Sequence, residues 1–165
     1  MADPSALAVV AVALRELGRS PAEPARLADW VGRIHALLAT HAVDRGGVAL
    51  HTGLDVAVAT FGSADAALAA ALAIRDEVEA AREPSEHQHG DLLGIGVAFG
   101  PTSAGFGPPH VRALRLALLA SDRGEILVDA PTLGAGVPEG FGAHAARVEV
   151  AQRIGFPHHR LADYR

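Results

Sequence analysis

The 165-residue sequence contains no cysteine, no lysine and no asparagine. Without cysteine there is no disulfide framework, no thiolate metal site and no cysteine nucleophile, and the redox compartment leaves no mark on the composition. Without lysine there is neither Schiff-base chemistry nor a phosphate-loop lysine. Without asparagine, a mechanism that relies on that carboxamide must find a substitute. A GC-rich coding bias is the simplest origin of the missing lysine and asparagine, but the limit on chemistry holds whatever the cause. Aromatic residues are also scarce, at 4%. No apolar run reaches the roughly 18 residues that would span a bilayer. Positive charge is short as well: the net charge is −5, which argues against nucleic acid as the main partner, since binding a phosphate backbone needs a basic surface.

Half of the residues are hydrophobic and 20% are charged, enough to bury a core in one domain spanning 1–165. Alanine occurs 35 times, so the packing must come from close approach of elements more than from bulky side chains. The run Ala6–Leu14 has no basic start and is closed by Arg15 and Glu16. It reads as a buried strand and not as a signal peptide or membrane segment, and the protein is expected in the cytoplasm.

The order of elements can be followed along the chain. After the first strand, Ser20-Pro21-Ala22-Glu23 has the form of a capping box. Leu27, Trp30, Val31, Ile34, Leu37, Leu38 and His41 then keep helical spacing as far as Val43. Val48–Thr52 and Asp55–Phe61, joined around Gly53, predict a hairpin. Ser63 is expected to cap a second helix running to about Arg82, and Leu92–Phe99 reads as another buried strand. This βαββαβ order predicts an α+β fold with a ferredoxin-like core. Beyond it lie a Gly/Pro connection at Gly100–Pro109, a third helix over His110–Ser121 and a strand at Glu125–Val128. A turn at Ala130-Pro131 and two C-terminal strands near Ala143–Val150 and His158–Tyr164 complete the chain. The pairs His87/His89 and His158/His159 lack metal-ligand spacing and are expected on the surface.

With these elements in order, several stretches resemble the catalytic domain of class III nucleotidyl cyclases, the adenylate and guanylate cyclases. They are Thr52-Gly53-Leu54-Asp55-Val56-Ala57-Val58-Ala59-Thr60-Phe61 with Ser63–Ala67, then Gly94–Gly100, then Val111–Val128 ending in Gly124-Glu125-Ile126-Leu127-Val128, and finally Gly155-Phe156-Pro157. The resemblance implies the cyclase type of α+β fold and a head-to-tail homodimer. It also implies a site at the dimer interface where two aspartates hold Mg²⁺ or Mn²⁺ against ATP or GTP. In that family a lysine helps select the purine, an asparagine orients the ribose, and an arginine stabilises the transferring phosphoryl group.

Carried over position by position, the second metal aspartate matches Asp55, but the first falls on Arg15, a fixed positive charge. The lysine position falls on His51. Counting back from Gly124 puts the asparagine at Arg112 and the arginine at Leu116, with Arg115 one residue away, about 100° round a helix. Asp55 is expected either as a lone ligand or as the ion-pair partner of Arg15, a remnant of the site. Arg15, Arg112 and Arg115 are read either as a phosphate-binding cluster or as solvated charges. The resemblance therefore implies a degenerate domain, catalytically silent and needing no cofactor, that dimerises as a signalling or nucleotide-sensing module without nucleic-acid or membrane partners. The alternative is an active cyclase with a non-standard site built from His51, Asp55, Glu16 and Arg115, using Mg²⁺ or Mn²⁺ with ATP or GTP.

Overall fold

A computed structural model of the chain describes residues 5–15, 23–51, 53–81, 93–122 and 124–163. Ser5 and the uninterrupted run of small and branched apolar side chains after it form strand β1 (Ser5–Leu14), which is buried from Ala8 onward. Helix α1 (Pro24–Asp44) follows, then β2 (Val48–His51), β3 (Val56–Phe61), α2 (Ala64–Ala80) and β4 (Leu93–Thr102). Helix α3 (Pro108–Arg115) runs directly into a π-helical turn at Leu116–Ala120. The chain ends with β5 (Ile126–Asp129), the short α4 (Ala130–Gly134), β6 (Phe141–Ala145), α5 (Val148–Ile154) and β7 (His158–Asp163).

The seven described strands form one sheet in the order β2-β3-β1-β4-β5-β7-β6. β1 is antiparallel to both β3 and β4, and β2 closes the hairpin with β3, so the first four strands have the ferredoxin-like arrangement. β4 and β5 are parallel, and α3 makes the crossover between them. Alternation along β1 divides its side chains between two layers. Val10, Val12 and Leu14 join Ile34, Leu38, Leu68, Ile74 and Phe61 under α1 and α2. Val9, Ala11 and Ala13 join Val58, Ala98, Ala113 and Ala117 under α3.

The α3 layer is thin because β4 carries Gly94 and Gly96 on that face. A Cβ at Gly94 would stand 2.1 Å from the Ala117 carbonyl oxygen, and one at Gly96 would stand 2.2 Å from that of Ala113. Backbone therefore lies against backbone, which only glycine permits.

Several boundaries differ from the sequence reading. α1 begins at Pro24 with Glu23 as its N-cap residue, so Glu23 is not the third helical residue of a capping box; Ser20–Ala22 lie outside the described residues. β4 continues through Gly100, Pro101 and Thr102, pairing with Leu7, Ala6 and Ser5, where a loop was expected. α3 starts at Pro108, two residues before His110. Ala130-Pro131 opens a helical turn, because the Asp129 side chain accepts from Thr132 N and caps it. The expected strand Ala143–Val150 is split: β6 ends at Ala145 and Val148–Ile154 is helical. Leu116, Leu127 and Ile154 form a small core there with Val150 packed on it, which is i, i+4 spacing and not alternation. Arg82, the end expected for α2, and the pair His87/His89 lie outside the described residues, as does Tyr164.

Candidate functional site

The ends of β1 and of the β2–β3 hairpin meet where the sequence places Arg15 and Asp55. Leu14 N donates to the Asp55 carbonyl at 2.7 Å, so the two segments are fixed side by side. Asp55 stands immediately before β3 and is exposed. His51 closes β2, its backbone opposite Ala57.

Arg15 and Asp55 nevertheless do not pair. Arg15 follows Leu14, which faces α1 and α2, so strand alternation turns Arg15 toward the α3 face. Its stem runs beside Gly94, its Nη1 donates to the Ser121 carbonyl, and the same Nη1 lies 3.6 Å from Asp122 Oδ1. The expected Arg15–Asp55 remnant is thus replaced by a tie from β1 to the end of the third helix. Glu16 lies outside the described residues.

The third helix is pinned at both ends. Near its start, Arg112 Nε donates to Asp129 Oδ2 at 2.7 Å and its Nη2 donates to the Phe99 carbonyl at 3.0 Å. The remaining oxygen of Asp129, a residue only 1% exposed, accepts from Phe99 N at 3.3 Å, Thr132 N at 3.0 Å and Thr132 Oγ1 at 2.5 Å. In this knot Arg112 thus ties the start of the helix to β4 and to the buried Asp129, whose charge it matches. At the other end, Ser121 Oγ accepts from Ile95 N at 3.2 Å and donates to the Glu125 carbonyl at 2.6 Å.

Between those pins the chain holds one residue more than an α-helix would use. Ser121 N reaches back five residues to the Leu116 carbonyl at 2.8 Å, the hydrogen bond of a π turn. The π turn thus takes up one extra residue within the stretch over which the count back from Gly124 runs. Leu116, which that count selects, is fully buried against Leu127 and Ile154 and offers no chemistry. Arg115 is exposed, and its Nη1 donates to the Ile154 carbonyl at 3.2 Å. The next residue, Gly155, has φ 101°, a left-handed conformation that favours glycine, and lies against the Arg115 guanidinium.

The described residues do not fit a divalent cation. The end of β1 presents a guanidinium, Asp55 is a single carboxylate, and no group of three or more His, Cys, Asp or Glu among the described residues is placed to hold a metal ion. Hard cations such as Mg²⁺ need several oxygen ligands converging on one point. His158 is buried, with Nδ1 3.2 Å from the Phe156 carbonyl, so half of the expected surface pair His158/His159 belongs to the interior. Next to Asp122, a cleft of about 810 Å³ is lined by Glu125, His144, Arg147, His158 and Arg160, a feature with no signature in the sequence. One ion pair lies within it, with Arg160 Nε 3.7 Å from Glu125 Oε1.

No family profile and no curated protein matches this sequence. Solved structures do match. The adenylyl cyclase CyaB from P. aeruginosa superposes with a TM-score of 0.74 at 19% identity, over 99% of this chain and 96% of that one. The guanylate cyclase domain of RhGC from Catenaria anguillulae, in complex with GTP, does so with a TM-score of 0.74 at 16% identity, over 98% of each chain. The catalytic core of a rhodopsin-guanylyl cyclase bound to ATPαS gives 0.74 at 15% identity, over 97% of each. The chain has the α+β fold of nucleotidyl cyclase catalytic domains, and no described helix is long and apolar enough to cross a membrane.

Proposed function

We propose that this chain is a nucleotidyl cyclase-like domain that does not cyclise nucleotides and serves as a dimerising signalling module. The observation that carries this reading is Arg15. At the strand end where the cyclase resemblance calls for a metal-binding carboxylate stands a guanidinium, held by Ser121 and Asp122. Its positive charge repels the dication that two-metal phosphoryl chemistry needs. The absence of lysine and asparagine from the whole chain points the same way.

Dimerisation is supported by an uncovered apolar surface. Val48 and Leu50 are 59% and 39% exposed, and by register they share the face on which α3 packs over β1, β4 and β5. Leu114 packs on the same small core as Val58, and Val111 and Leu118, at helical spacing from it, are 42% and 36% exposed. A second copy of the chain is the occupant that the fold's resemblance to dimeric cyclases suggests.

A second reading, nucleotide holding without turnover, is favoured by the π turn. We read the residue absorbed there as the offset between Leu116 and Arg115, which assigns the arginine of the cyclase pattern to Arg115. Purified protein with Mn²⁺ and ATP or GTP is expected to yield no cyclic nucleotide. Steady cAMP or cGMP formation that Asp55→Ala abolishes would overturn the proposal and establish an active cyclase. Calorimetric titration with the same nucleotides separates the other two: no heat leaves the interaction module, and binding without product leaves the sensor. Sedimentation should show a dimer that Leu50→Asp with Leu118→Asp converts to monomer.

A further inference from the structure

His110 is 3% exposed and occupies the first turn of α3. Its Nδ1 accepts the Gly107 N–H at 3.3 Å, while its own backbone N–H donates to the Gly107 carbonyl at 3.0 Å. The turn before the helix is therefore tied to the helix by one side chain and one backbone bond. The imidazole also stacks on Phe106, with ring centroids 4.7 Å apart, although Phe106 is 61% exposed. An acceptor at Nδ1 means that the neutral ring carries its proton on Nε2, and Nε2 is buried with no hydrogen-bond partner among the described residues.

Among the described residues no acidic side chain is free to face the ring, and the Gly107 backbone alone favours its charged form, by less than burial opposes it. α3 packs against β1, β4 and β5. The described residues of those strands and of the turn 103–107 include one ionisable group, Asp129, and it is already paired with Arg112 at 2.7 Å. On its own helix the other charges are Arg112 and Arg115, both positive. The ring also sits at a helix N-terminus, whose partial positive charge opposes a cation.

We propose that His110 is an acid-sensitive latch on the start of α3: the neutral ring holds Gly107 in place, and the protonated ring releases the 103–107 turn. A protonated imidazole has two N–H donors and no acceptor, so its Nδ1–H would face the Gly107 N–H, donor to donor. Burial pushes the imidazole below its usual value, and an opposing contribution from the Gly107 backbone is smaller. A lowered value in the closed state means that the open state takes up the proton more readily. The latch is therefore complete above about pH 6.5 and weakens as pH falls through that value. The latch secures the end of the helix that carries Arg112 and Arg115, so acid loosening starts on the element that supplies the arginines of the candidate site. The inference does not depend on whether those arginines bind a nucleotide.

Amide hydrogen exchange on the intact chain tests it. Protection of the Gly107 and His110 amides is expected to fall by up to about tenfold per pH unit from pH 7 to pH 5, since one proton is bound per opening. Protection of Val10, in the middle of β1, should stay constant over the same range. His110→Gln keeps an acceptor for Gly107 without titrating near neutrality, and it should flatten the dependence. NMR titration of the unaltered protein is a second readout that needs no variant, with His110 expected to titrate below about 6.5. The proposal is overturned by flat protection in the native chain, by equal loss at Val10, by the same pH dependence in His110→Gln, or by titration at or above the ordinary value.

Discussion

The two faces of the sheet are built by opposite means. Under α1 and α2 the layer is filled by Leu, Ile, Val and Phe side chains, whose volumes can be exchanged at modest cost. Under α3 the contact is backbone on backbone, with Gly94 and Gly96 of β4 against Ala113 and Ala117. The first face stores most of the buried hydrophobic surface. The second sets position: it seats the helix bearing Arg112, Arg115 and the π turn directly on the strand beside Arg15. Stability and site geometry thus reside on different faces, and neighbouring residues of one strand report on each.

Ile95 and Gly96 make the sharpest contrast because they are consecutive. Gly96→Val would place its Cβ 2.2 Å from the Ala113 oxygen, well inside van der Waals contact, so the helix must lift or the strand must bend. A loss of about 4 kcal/mol is expected in denaturant unfolding, at the upper end for overpacking. Ile95→Val, on the other face, should cost only about 1 kcal/mol. Equal losses for the pair would show that the α3 layer has slack and would dissolve the contrast.

Asp129→Ala probes the start of the same helix. It removes the partner of Arg112, the acceptor for Phe99 N and the cap of α4 in one step. Stripping one member from a buried ion pair costs about 3 kcal/mol. Asp129→Asn keeps an acceptor for Thr132 and Phe99 and should recover part of that loss. If both variants unfold at the native midpoint, the knot does not fix the helix.

How much of this was readable in advance depended on whether the signal was local. The ferredoxin-like core was legible because the buried strands carry unbroken apolar runs and Ser63 is a true cap, accepting from Ala66 N at 3.2 Å. The C-terminal part was not: Val148-Glu149-Val150 alternates like a strand, yet Val150 packs as part of a helix turn against a core completed by Leu127. Asp55 and Arg15 were correctly brought to adjacent segment ends, but the partner of Arg15 lies 106 residues along the chain, and no local pattern announces it. The π turn is illegible for a related reason. It arises because both ends of a helix are fixed by other elements while one surplus residue lies between them, a constraint with no letter in the sequence. The count selected Leu116 with Arg115 one residue away, and no local pattern chose between them.

The smallest effect belongs to the tie between the site's strand and that helix end. The Arg15 side chain is 28% exposed and that of Asp122 is 68% exposed, so solvent screens their attraction. Arg15→Ala should cost no more than about 1 kcal/mol, far less than the change at Gly96 only a strand away. The loss has two parts that salt can separate. The ion pair to Asp122 fades as the Debye length shrinks to about 3 Å at 1 M salt, while the hydrogen bond to the Ser121 carbonyl persists. Unfolding of Arg15→Ala and the native chain should therefore differ less in 1 M NaCl than in 50 mM, without becoming equal. A difference of several kcal/mol that is indifferent to salt would make Arg15 part of the positional machinery of the α3 face, and the guanidinium would have to be regarded as a structural pin and not as the occupant of a lost metal position.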